Sequence, residues 1–147
     1  MSQETAAPRD VVVTGSAQGF LQTVTVGGHE FVSDEPVAVG GGDAGPGPYD
    51  LLLAGLGTCT SMTVALYARR HRWPLESVRV TLRHARVHAA DCEHCETRAG
   101  MLDRIDRTVE LVGALTGEQR TRLLDIANKC PVHRTLTSEI DVQTRLV

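Results

Sequence analysis

An α+β domain with mainly antiparallel sheet is the fold class this sequence predicts, on three observations. Short β-rich runs punctuated by glycine fill the stretch from Val11 to Val32. Tyr49 to His71 is one long segment without a charge between Asp50 and Arg69. Beyond it, segments that alternate with period two are interrupted by one with helical spacing. The 147 residues, 41% hydrophobic and 22% charged, suffice for one core, so a single domain over residues 1–147 is expected.

Residues 1–9 are small and polar, include Pro8, and read as a frayed terminus. Val11 to Thr14, Phe20 to Val26 and Glu30 to Val32 are rich in β-formers and predict a three-stranded meander, with Gly27-Gly28 turning the chain between the last two strands. Residues 40–48 hold too much Gly and Pro for regular structure and form a loop. Pro48 suits a first helical turn, whose N–H groups lack intrahelical partners anyway, and Asp50 meets the positive end of the helix dipole. Because Tyr49 to His71 is apolar around most of its circumference, it predicts a long central helix covered on most sides. Leu52, Leu56, Cys59, Thr63 and Leu66 share one of its stripes.

Val78, Val80 and Leu82 alternate with Arg79, Thr81 and Arg83 in a strand running toward His88, and Ile105, Val109 and Leu111 mark the next, closed by Gly113. Thr116 followed by Gln119 is a capping box opening a helix with Leu123, Ile126, Ala127 and Cys130 on one face. Ile140, Val142, Thr144 and Leu146 alternate with charged and polar residues as a final strand.

A net charge of -3 with dispersed Lys and Arg gives no field to gather nucleic acid, and 3% aromatics leave no stacking platform for single strands. The start Met1-Ser2-Gln3-Glu4 lacks the layout of a signal peptide and the Gly, Thr and Ser within Tyr49–His71 argue against insertion, so no membrane partner and a cytoplasmic location are expected. His29 and His71 fall at a turn and a helix end, and His84 and His88 share a strand face with Arg86; solvated or capping roles are expected for them.

The cysteines carry the chemistry. Cys59 sits in the small, hydroxyl-rich patch Gly57-Thr58-Cys59-Thr60-Ser61, where a buried thiol acting as a small hydrophobe is the plain alternative to a reactive one. Cys130 is followed by Pro131, which stops the preceding helix and suits the first position of a short helix to Leu136. Cys130 then lies near an N-cap, where free N–H groups, with His133 and Arg134 close in sequence, lower a thiol pKa from about 8.5. Cys92-x-x-Cys95, flanked by Asp91, Glu93, His94 and Glu96, has three readings: a structural loop, a zinc pair completed from elsewhere, or an auxiliary dithiol. A Cys130/His133 acyl hydrolase is a weaker idea, for it has no evident orienting acid.

Gly45-Pro46-Gly47-Pro48-Tyr49-Asp50-Leu51-Leu52-Leu53-Ala54-Gly55-Leu56-Gly57-Thr58-Cys59-Thr60, followed by Cys130-Pro131-Val132-His133-Arg134-Thr135-Leu136, resembles the two signature segments of the OsmC/Ohr family. The resemblance implies an intertwined homodimer in which Cys59 is oxidised by an organic hydroperoxide and Cys130 condenses with it, with no cofactor beyond an external dithiol reductant. Two departures stand out. The family places Glu after the helix-opening Pro, where this chain has Tyr49 with Asp50 beside it, and an activating Arg in the N-terminal β region, where Gly15 to Gly19 holds none; Arg134, Arg98 and Arg9 are the substitutes considered. A non-enzymatic redox-responsive or zinc-binding protein using Cys92 and Cys95 is the rival reading.

Overall fold

The computed structural model describes residues 7–147, which fall into two compact units meeting in sequence at Leu52/Leu53. Most of the frayed terminus expected over 1–9 lies outside the described residues; residues 7–9 are exposed and without regular structure.

The first unit is the expected meander. Strands β1 (Val11–Gly15), β2 (Gln22–Val26) and β3 (His29–Ser33) pair antiparallel in that order. Val26 faces His29 across Gly27-Gly28, and Gly27 takes φ 58°, a left-handed conformation open to glycine at little cost. Phe20 and Leu21, expected in the second strand, precede it. The glycine loop that follows is ordered by a residue the sequence did not single out. Asp34, 4% exposed, accepts the N–H groups of Glu35, Gly42 and Ala44 at 2.8, 3.0 and 3.2 Å. The Ala44 and Glu35 N–H groups lead in holding its carboxyl below the usual range.

Helix α1 (Pro48–Arg70) opens with Asp50 accepting the Gly47 N–H at 2.8 Å. In the second unit β4 (Leu75–His88) and β5 (Met101–Gly113) form a long antiparallel hairpin. Helices α2 (Gly117–Ala127) and α3 (Pro131–Leu136) follow. The core joins Val64 and Ala68 of α1 to Leu123 and Ala127 of α2, with Trp73, Val78, Val109 and Leu111 packed against them. Gly57 lets α1 approach the hairpin, since a Cβ there would stand 2.8 Å from a Leu82 methyl.

Two expectations need correction. Helix α1 buries only one face, Leu56, Gly57, Thr60, Val64 and Ala68, while Leu52 is exposed and Cys59, Thr63 and Leu66 are half-buried. A helix apolar all round has no pattern by which the sequence marks the packed face. By length and composition alone α1 could also cross a membrane, as a core helix of this kind can. The second correction concerns the C-terminus: residues 139–147 form no strand, and Ile140, Val142 and Leu146 are 55%, 80% and 99% exposed. Alternation marks two faces, but a strand also needs a neighbour to take its N–H and C=O groups, and no described strand pairs with this segment.

The capping box is present as expected: Thr116 Oγ1 accepts the Gln119 N–H at 3.1 Å and Gln119 Oε1 accepts the Thr116 N–H at 2.9 Å. Thr116→Ala is expected to lower stability by about 1 kcal/mol, read as a shift in denaturation midpoint at constant slope.

Candidate active site

The second unit builds a site around Cys130. Helix α2 ends at Ala127, the chain turns through Asn128 and Lys129, and Cys130 becomes the N-cap of α3 with Pro131 behind it. Its Sγ accepts the His133 backbone N–H at 3.4 Å, and the residue is fully buried. Cys59 reaches the same place from α1. Both thiols are free, and Cys59 lies close enough to Cys130 to help hold its thiol pKa down. The two cysteines that the signature segments single out are therefore neighbours, with Cys130 buried and Cys59 half-buried.

Thr60, fully buried, stands with Oγ1 3.7 Å from Cys130 Sγ and 2.7 Å from the Leu56 carbonyl oxygen. Its single hydroxyl proton serves one of them at a time. When it points to Leu56 the Cys130 thiol can donate to Oγ1; when Cys130 is a thiolate the proton can turn to sulfur.

The cation at this site is Arg107, a residue that sequence reasoning missed. From β5 its Nη1 donates to Thr60 Oγ1 at 3.0 Å, and Nη2 lies 2.9 Å from both Asn128 Oδ1 and His133 Nδ1. A guanidinium only donates, so Nδ1 must accept and the His133 ring is neutral, carrying its proton on Nε2. Burial first, then the Arg107 charge, holds His133 below its ordinary 6.5. For Cys130, burial raises the thiol pKa, but the His133 N–H, the Thr60 hydroxyl, the Cys59 thiol and the Arg107 charge outweigh it, so the net shift is downward. A signal for Arg107 exists in the sequence: with Ile105, Val109 and Leu111 facing inward, period two puts position 107 on that same face.

A groove of about 410 Å³ opens beside these groups. Leu56, Ile105, Val109, Leu124 and Leu136 give it an apolar wall, and Arg107, Asn128 and His133 line it as well. Such a surface can hold a small molecule with an apolar body and a hydrogen-bonding end.

Tyr49 and Asp50 are exposed in the first turn of α1, where Asp50 closes the helix start. Arg134 is exposed, and its guanidinium makes none of the site's hydrogen bonds; Arg98 is exposed in the β4–β5 connection, and Arg9 is exposed in the first unit. Within the second unit, Arg107 rather than Arg134 or Arg98 is therefore the cation at the cysteines. His133 contributes its backbone N–H to Cys130 while its ring engages Arg107, which leaves the Cys130/His133 hydrolase without a ring base on the sulfur. His84, expected to be solvated, is 19% exposed and lies 2.9 Å from Asp103. Cys92 and Cys95 are joined in a disulfide between β4 and β5, and among the described residues no group of three or more His, Cys, Asp or Glu is placed to hold a metal ion.

Among curated proteins no relative matches in sequence. Solved structures share the fold. An OsmC-like protein from Mycoplasma pneumoniae is 20% identical with a TM-score of 0.69, over 88% of this chain and 86% of that one. An organic hydroperoxide resistance protein from Legionella pneumophila is 19% identical with a TM-score of 0.65, over 92% and 93%. The organic hydroperoxide resistance protein OhrB of Bacillus subtilis is 18% identical with a TM-score of 0.62, over 92% and 95%. The family model for OsmC-like proteins matches residues 40–145, a span that includes Cys59, Arg107 and Cys130, and the chain belongs to the OsmC-like protein family.

Proposed function

We propose that this chain is a thiol-dependent peroxidase that reduces organic hydroperoxides, with Cys59 the oxidised sulfur and Cys130 the resolving one. The observation that carries this reading is the meeting of two free thiols beside Arg107, at a site with an apolar groove. Cys130 has a lowered thiol pKa but is sealed from solvent, whereas Cys59 is partly open. The two properties fit one mechanism if the Cys130 thiolate takes the proton of the neighbouring Cys59 thiol. The Cys59 thiolate then attacks the terminal peroxide oxygen, the O–O bond breaks, and protonation releases an alcohol, leaving a sulfenic acid on Cys59. Cys130 displaces that oxygen as water and forms the disulfide. Two thiols and one hydroperoxide thus give one disulfide, one alcohol and one water, and an external dithiol returns both electrons pairwise by exchange.

In a second reading Cys130 attacks the peroxide first, favoured by its lowered pKa and opposed by its burial. The reaction itself needs no metal or organic cofactor. We place it in a cytoplasmic homodimer, which would give a partner both to the exposed apolar residues Leu52 and Met62 of α1 and to the unpaired residues 139–147.

Mixing reduced protein with one equivalent of an alkyl hydroperoxide is expected to yield a Cys59–Cys130 disulfide, identified by peptide mapping, and an equivalent of alcohol. Survival of both thiols with the peroxide unconsumed would overturn the assignment.

A further inference from the structure

The Cys92–Cys95 pair has no part in that chemistry. The two residues close the connection between β4 and β5, beyond the last paired positions His88 and Met101. Arg107 lies opposite Leu82, six residues nearer the base of β4 than His88. At about 3.3 Å per residue the pair therefore stands on the order of 20 Å along the hairpin from the Arg107 site, too far for direct exchange with Cys130 in the same chain.

A structural staple explains the pair poorly. Stabilisation by a disulfide grows with the loop it closes, and only Glu93 and His94 lie between these sulfurs. The rest of the connection is already tied by its backbone: Ala89 N–H donates to the Gly100 carbonyl at 2.8 Å, Cys92 N–H to the Ala89 carbonyl at 3.1 Å, and Arg104 reaches the Asp91 carbonyl at 3.2 Å. A metal role lacks further ligands, since no third His, Cys, Asp or Glu is gathered at the pair among the described residues. What remains is chemical. Both cysteines are half-buried and their neighbours Glu93, His94 and Glu96 are exposed, so the bond is open to attack from solvent. Cys-x-x-Cys spacing lets either thiol expel a mixed disulfide by closing on its neighbour.

We infer that Cys92 and Cys95 form a second, independent dithiol–disulfide couple at the hairpin tip, a site of exchange with external dithiols and disulfides. In one direction a dithiol thiolate attacks the Cys92–Cys95 bond, a mixed disulfide forms, and the second external thiol closes on the first. Two thiols appear on the protein, one disulfide leaves, and two electrons pass inward. The reverse consumes an external disulfide. The carboxylates of Asp91, Glu93 and Glu96 put negative charge around the pair and favour a neutral or cationic dithiol over an anionic thiol such as glutathione.

The chain offers a direct readout. Trypsin, cutting after Arg86 and Arg98, releases Val87–Arg98 with both of these cysteines and neither of the others. Wild-type protein is equilibrated in graded mixtures of reduced and oxidised dithiothreitol, quenched, alkylated and digested. The expected result is that this peptide switches reversibly between untagged and doubly tagged with one midpoint. A Cys59→Ser/Cys130→Ser double variant should leave that midpoint in place. The inference is overturned by a peptide that stays doubly tagged across every mixture, or by thiols protected from alkylation in protein that carries an equivalent of zinc, lost in Cys92→Ser. A midpoint that disappears in the double variant would show the couple to depend on Cys59 and Cys130, which also overturns it. Hydroperoxide turnover at Cys59 is not read in this experiment, so failure of one proposal leaves the other standing.

Discussion

Cys59→Ser is expected to reduce hydroperoxide consumption by about 10³-fold or more, the scale on which losing a nucleophile acts. The serine fits the half-buried position, but its hydroxyl holds its proton too tightly for the Cys130 thiolate to remove it at neutral pH. Cys130→Ser should behave differently. The first equivalent of peroxide is still consumed, more slowly because the proton acceptor is lost, and Cys59 is left as a sulfenic acid that a cyclic 1,3-dione can trap. Turnover with a dithiol then falls because no resolving thiol remains. Single-turnover peroxide loss and adduct mapping by mass spectrometry separate the two variants. A sulfenic acid found on Cys130 in the Cys59→Ser protein would reverse the roles and establish the second reading.

Arg107→Leu is the other substitution expected to act strongly. Removing the guanidinium takes a positive charge from Cys130 and the donors from Thr60, Asn128 and His133. The inflection of the pH–rate profile should move upward, since the Arg107 charge is one of the contributions that hold the Cys130 pKa down, with a loss of rate at neutral pH of up to about tenfold. Arg107→Lys keeps the charge but not the forked donors and should shift the inflection less. A variant that loses rate with no change in inflection would assign Arg107 a purely architectural part.

Stability follows the same linkage. Cys130 folds with a pKa below its ordinary value, so between the two values the unfolded chain holds more protons and stability rises with pH. His133 acts in the same direction in the window just below 6.5. Arg107→Leu should flatten the Cys130 part of that rise, measured as denaturation midpoint against pH.

What could be read along the chain was what local chemistry encodes. Pro48, the Thr116/Gln119 box and Gly27-Gly28 mark their boundaries because each satisfies a backbone need of its own neighbours. Cys130 announced its setting because Pro131 both ends one helix and starts the next. Arg107 was harder to see. Among Arg104, Asp106 and Arg107 it is one charge in a charged stretch, and only its parity with Ile105 and Val109 sets it apart.

By itself, then, the sequence determined the α+β class, the order of most elements and the two cysteines worth watching, since periodicity, caps and turns act within a few residues. Tertiary structure alone decided which face of α1 is packed, that the last alternating segment finds no partner strand, and that Arg107 rather than Arg134 stands by the thiols. Those outcomes depend on which surfaces meet across the chain. A helix apolar on every side and a strand awaiting a neighbour carry no local mark of the answer.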